Sequence, residues 1–121
     1  MLLMKIMLLA LAMFAATSIS QAGEVETLET RSYKITIERR CEEGVVVCDD
    51  MKYVGVNKRT GKSITLRGTT AHTVGADGVT PGHFLGYQFK HCNTTYFVSP
   101  AGELEVTREA KVLIKETGKW K

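Results

Sequence analysis

Between residues 54 and 66 apolar and polar residues alternate strictly on both sides of one turn, and no other stretch limits the fold so tightly. Val54 and Val56 alternate with Gly55 and Asn57, and Ile64 and Leu66 alternate with Ser63 and Thr65. Successive side chains on a strand point to opposite faces, so each strand presents one apolar row. The connection, Asn57-Lys58-Arg59-Thr60-Gly61-Lys62, opens on a residue that bonds its own backbone and carries a glycine suited to positive φ. The pattern predicts a β-hairpin with Val54, Val56, Ile64 and Leu66 on buried rows. On that reading a charge at Val56 is severely destabilising.

Just upstream lies Cys41-Glu-Glu-Gly-Val-Val-Val-Cys48. A two-residue turn at Gly44-Val45, glycine first, sets Cys41 opposite Cys48 at a separation that a disulfide spans. Closing so short a loop stabilises by roughly 2.5 kcal/mol on the chain-entropy account. The third cysteine, Cys92, leaves several arrangements open: pairing with Cys48 or Cys41, a free thiol, or a link between two chains. Cys41–Cys48 is preferred because it needs no tertiary assumption.

The compartment agrees with a disulfide. Residues 1–22 read as a secretory signal peptide: Lys5 is the only charge, residues 6–16 are apolar but too few to span a bilayer, and Ser20 and Ala22 are small. Cleavage after Ala22 leaves residues 23–121 as a single β domain, periplasmic or secreted, with no membrane anchor. Oxidising surroundings favour paired cysteines, and a core this small benefits from a staple. A formal net charge of +3, with basic residues scattered among acidic ones, argues against a nucleic-acid binder.

Along the chain, residues 24–30 are polar and acidic and read as a flexible lead-in. Tyr33, Ile35 and Ile37 mark a first strand. Residues 69–74 form a weaker strand, and residues 75–82 are loop by their glycines and proline. Leu85, Tyr87 and Phe89 alternate on the next strand. Residues 95–99 pair with it across His91-Cys92-Asn93, and Pro100 to Gly102 turns the chain again. Residues 107–115 could be helix, but their β-branched residues favour strand. Short strands separated by turn signals imply an all-β antiparallel meander, either a small barrel or a sandwich.

Two groups of residues could carry chemistry. His72, His83, His91 and Cys92 are metal-ligand types, and His72 and His83 flank the 75–82 loop, so a zinc or copper site is one reading. Solvated histidines are the commoner outcome at such spacing. The loop Gly75 to Gly82, with the aromatic strand Phe84 to Phe89 beside it, forms the candidate binding surface, with Asp77, Phe84 and Tyr87 as its candidate residues, since loops on a rigid β scaffold commonly carry recognition. Asp49, Asp50, Glu42 and Glu43 lack the ligand spacing of a calcium loop and read as a solvated face. No phosphate-cradling glycine loop, nucleophile elbow or paired-carboxylate pattern occurs.

The runs CDDMKYVGVNKRTGKSITLRG, ADGVTP and GYQFK with NTTYFV resemble a family of small uncharacterised exported proteins of Gram-negative bacteria, over most of the mature chain. In that family cysteines can flank the ADGVTP loop. Here Gly75 and Gly82 stand in those places, so a second loop disulfide is absent, and His91-Cys92 stands where an Asn-Gly turn is usual. The resemblance implies export and a β fold but no activity. At the level of class alone, the chain is similar to periplasmic lysozyme inhibitors. The expectation is therefore a non-enzymatic periplasmic binding or inhibitor-type protein without a cofactor, whose partner is a periplasmic protein. The alternative is a metal-binding protein using the histidines.

Overall fold

The computed structural model describes residues 24–121. The signal peptide assigned to residues 1–22 lies outside them. The described residues form one antiparallel sheet of nine strands: β1 Val25–Glu29, β2 Tyr33–Arg39, β3 Met51–Asn57, β4 Ser63–Val74, β5 Pro81–His91, β6 Thr94–Val98, β7 Glu103–Arg108, β8 Lys111–Thr117 and β9 Lys119–Trp120. The spatial order is β8-β7-β6-β5-β4-β3-β2-β1-β9. Only Gly118 separates β8 from β9, so the strand at one end of the sheet bends across to pair with β1 at the other. The meander thereby nearly closes into a barrel, and the all-β expectation holds.

Gly118 makes the closure sterically feasible. A Cβ there would lie 2.1 Å from the Glu29 carbonyl oxygen and 2.9 Å from the Thr30 Cα. Around it the Lys121 N–H donates to Thr27 O at 2.8 Å, and Leu28 pairs with Trp120. β1 replaces the flexible lead-in expected for residues 24–30. Its sequence shows little alternation, but Leu28 is fully buried between β2 and β9. Tertiary pairing on both sides orders a segment that its own pattern does not mark.

The central hairpin is present, and its turn works as read. The Asn57 side-chain oxygen accepts the N–H groups of Arg59 and Thr60, and Gly61 takes φ +75°. The buried face of β3 is the other one, however. The register couples Tyr53 with Leu66, Gly55 with Ile64, Val54 with Thr65 and Val56 with Ser63. An even-numbered residue on β3 thus faces an odd-numbered one on β4, so the apolar rows at 54/56 and 64/66 fall on opposite faces. Met51, Tyr53 and Gly55 point into the barrel, while Val54 and Val56 lie part-exposed outside. Tyr53 fills the centre, its ring 5.1 Å from Phe89 and 5.6 Å from Tyr96. Gly55 is bare because Tyr53 lies across it, with a Cβ there only 2.8 Å from the phenol.

The weak strand at 69–74 is the far half of β4, and residues 107–115 are strands, not helix. Glu109 and Ala110, both at positive φ, make the tight turn between β7 and β8. Core residues Leu28, Ile35, Ile37, Met51, Tyr53, Leu66, Phe89, Val98, Leu104 and Val106 line the interior. Because strands alternate in direction, the turns β1–β2, β3–β4, β5–β6 and β7–β8 gather at one end, here the upper. The 40–50 loop and the β4–β5 hairpin gather at the lower end, while Gly102 of the β6–β7 turn meets Gly118 beside the end of β1.

Candidate functional site

The lower end is built from the disulfide loop and the β4–β5 hairpin. Cys41 and Cys48 are bonded, with Cα atoms 5.8 Å apart. Their loop is not the hairpin expected. The turn runs from Glu42 to Val45, whose N–H donates to Glu42 O at 3.3 Å, and Gly44 takes its third position at φ +93°. The bond therefore braces irregular chain. Cys48 is fully buried, and its N–H donates to the Thr70 hydroxyl oxygen at 2.9 Å while the Thr70 N–H donates to Cys48 O at 2.8 Å. A further bond runs from the Arg39 guanidinium to the Val45 carbonyl. So held, the loop leaves Val45, Val46 and Val47 exposed.

Beside it, β4 and β5 continue into a long hairpin with a bulge. Ala71 pairs with Gly86 but His72 with Phe84, so Leu85 is the extra residue. Gly86 accommodates this at φ +146°, where a Cβ would meet the Val98 carbonyl oxygen at 2.4 Å. The bulge interrupts the Leu85/Tyr87/Phe89 row. Phe89 stays in the core, Phe84 takes the inward position opposite His72, and Leu85 turns outward. Phe84 and Leu85 remain 41% and 45% exposed. Phe84 lies between His72 and Tyr87, with ring centroids 5.5 and 5.2 Å away, and Tyr87 meets Trp120 at 6.5 Å.

Tyr87 is anchored by its hydroxyl, which donates to Glu26 Oε2 at 3.1 Å. Burial, reinforced by the Glu26 charge, pushes its phenol up to about 12. His72 Nε2 lies 2.9 Å from the Thr70 hydroxyl, and Nδ1 is buried without a partner among the described residues. Asp77 serves its own loop. Its Oδ1 accepts the N–H groups of Thr80 and Val79 at 2.8 and 3.0 Å, and Oδ2 accepts the Thr80 hydroxyl. Those bonds, the Thr80 hydroxyl foremost, pull its carboxyl down to about 2. Of the three candidate binding residues, Phe84 therefore offers contact area, Tyr87 positions Phe84 from within, and Asp77 holds the tip.

The metal candidates do not converge. His83 is exposed, with its N–H donating to the Thr73 hydroxyl oxygen, while His72 sits on the inner face of β4. His91 and Cys92 lie at the other end of β5, roughly 26 Å from His83 at strand rise. Among the described residues no three His, Cys, Asp or Glu side chains stand close enough to share an ion. Cys92 is a free, exposed thiol at φ +54° in the β5–β6 turn.

What the lower end provides is contact surface. Val74 and Val79 on the hairpin, Val45 to Val47 on the braced loop, and Phe84 with Leu85 are all exposed. Val79 and Leu85 fall within the loop and strand that the sequence marks as a contact surface, whereas Val74 and Val45 to Val47 lie outside it. No family model, curated protein or solved structure matches this chain.

Proposed function

We propose that this chain is a non-enzymatic binding protein of inhibitor type, acting in an oxidising compartment outside the cytoplasm. Its β4–β5 hairpin is the element presented to a protein partner. The observation that carries the reading is the pair Phe84 and Leu85, exposed at a glycine-dependent bulge. Exposed aromatic and aliphatic anchors on pre-ordered backbone lose little entropy on binding and tend to dominate interface energy. Two supports keep the backbone ordered: the Asp77 bonds at the tip, and the Thr70–Cys48 bonds to the disulfide loop. A narrow two-stranded tip fits a concave surface on its partner, as an inhibitor fits a cleft.

The test uses the exported protein immobilised as bait in periplasmic extract, beside a Phe84→Ser/Leu85→Ser variant. A protein retained by the first and lost by the second supports the reading. Equal retention by both, with the variant folded by circular dichroism, refutes it.

A further inference from the structure

At the upper end, a cleft of about 200 Å³ opens between β2, β3, β4 and the β6–β8 strands. Its wall is apolar at Ile64, Leu104, Val106 and Ile114, and aromatic at Tyr33, Tyr53 and Tyr96. Gly55 contributes bare backbone to the wall, with the Tyr53 ring lying across it. A dry cavity of about 150 Å³ with similar walls takes up benzene, so this cleft has room for one substituted ring or a short alkyl chain. Water against such walls has few hydrogen-bond partners and is readily displaced by an apolar group.

The edge of the cleft is cationic. Lys62 lines it directly, and Tyr33 and Asn57 are shared with an adjoining depression bordered by Arg31, Lys58 and Arg59. Carboxylates near this rim are already engaged. Glu29 pairs with Lys121 at 2.7 Å, and the Glu116 side chain accepts the Ser32 N–H at 2.9 Å. Burial acts to raise the Glu116 carboxyl, but the Ser32 bond, helped by Arg31, outweighs it and holds it low, so Glu116 stays ionised. Among the described residues Arg31, Arg59 and Lys62 close no ion pair. An apolar pocket with the unpaired cations Arg59 and Lys62 on one rim is complementary to a molecule that is apolar at one end and anionic at the other.

We propose that this upper cleft binds a small amphiphilic anion, its ring or short chain seated among the three tyrosines and Ile64, its acid group at Lys62 and Arg59. The site is independent of the lower hairpin and lies at the opposite end of the barrel. Burial of the apolar part supplies most of the affinity. The cations orient the ligand and add a salt-sensitive increment.

The exported protein, labelled with nitrogen-15, is titrated at low salt with 4-phenylbutyrate and with its uncharged analogue 4-phenyl-1-butanol. The expected result is saturable amide shifts at Gly55, Ile64, Tyr96 and Val106, with the acid bound at least about threefold more tightly than the alcohol. Lys62→Glu/Arg59→Glu should abolish the acid's advantage and leave alcohol binding unchanged; both positions are exposed and the fold should tolerate it. Ile64→Phe, which fills the cleft, should suppress both ligands while the spectrum stays dispersed. The proposal is overturned if the acid produces no saturable shift in the cleft, if acid and alcohol bind the wild type equally, or if the charge-reversed variant keeps the acid's advantage.

Discussion

Replacing Gly118 with alanine should open the barrel. The new Cβ would stand 2.1 Å from Glu29 O, 2.6 Å from Glu29 C and 2.9 Å from Thr30 Cα, all backbone atoms with no rotamer to yield. Relief requires β9 or the end of β1 to move by about 1 Å or more, since a carbon and a carbonyl oxygen do not ordinarily approach within roughly 3.3 Å. That displacement breaks the clasp: Lys121 N–H to Thr27 O, Gly118 N–H to Gly102 O, and the Trp120 indole N–H to Pro100 O, each 2.8 Å. Three hydrogen bonds at about 1 kcal/mol apiece sum to about 3 kcal/mol. For a domain of this size each kcal/mol moves the melting temperature by about 4–8 °C, so Tm should fall by roughly 12–24 °C. Thermal denaturation followed by circular dichroism measures it. Emission from Trp120, the sole tryptophan, should shift to the red at 25 °C before global unfolding. Thr117→Ala, at an exposed position one residue away, serves as the control. A Gly118→Ala protein melting within about 3 °C of wild type would refute the reasoning, since less than about 1 kcal/mol would then be lost and the clasp would remain closed.

Further outcomes follow from the geometry. Val56→Asp on the outer face should cost less than about 1 kcal/mol, whereas Leu66→Asp in the core should cost about 4 kcal/mol or unfold the chain; urea titration of both separates the faces, and a larger loss at Val56 would reverse the assignment. Cys41→Ser should lose roughly 2.5 kcal/mol, Cys48→Ser somewhat more because a hydroxyl is then buried, and the double change little beyond the worse single one; non-reducing peptide mapping should return the Cys41–Cys48 pair and a free Cys92. At Asp77 the folded carboxyl titrates near 2, below its unfolded value of 3.8. Its stabilisation is complete above 3.8 and is lost as pH falls through about 2, so the Val79 and Thr80 amide resonances should hold to about pH 3 and move below it; movement beginning above pH 4 contradicts the bonding described, and Asp77→Asn should erase the transition.

The class of fold was legible because period-two alternation survives in β2, β4 and β7, and because the Asn57 and Gly61 turn chemistry is local. Faces were less legible. Val54 and Val56 alternate as cleanly as Ile64 and Leu66, yet the register allows only one of the two rows to be buried. Tyr53, the largest buried side chain, carries a polar tip and did not count toward an apolar row. The disulfide was placed correctly from spacing and compartment, although the turn inside it was assigned one residue away from where Gly44 acts. β1 was missed because Leu28 is its one fully buried residue, and its order comes from β2 and β9. The Glu109-Ala110 turn carries no glycine or asparagine to announce positive φ. At the lower end Phe84 and Tyr87 were picked out. Leu85 was read in one alternating row with Tyr87 and Phe89, since a bulge depends on cross-strand register that no local pattern records. The upper cleft joins residues from Tyr33 to Ile114, and only the closed sheet brings them together.

The order of strands also governs how the chain reaches this state. Every pairing but one joins strands that are consecutive in sequence; the exception links Leu28 to Trp120. Local hairpins can form with little loop-closure entropy, whereas that last pairing must recruit both ends of the described chain. The search cost is thus concentrated in a single step. If the seam zips after the rate-limiting barrier, loosening it will accelerate unfolding and leave the refolding rate almost untouched. The two limbs of a chevron plot for Gly118→Ala would then separate: the unfolding limb rises and the folding limb overlays wild type. A displaced folding limb would place closure of the ring within the nucleus itself.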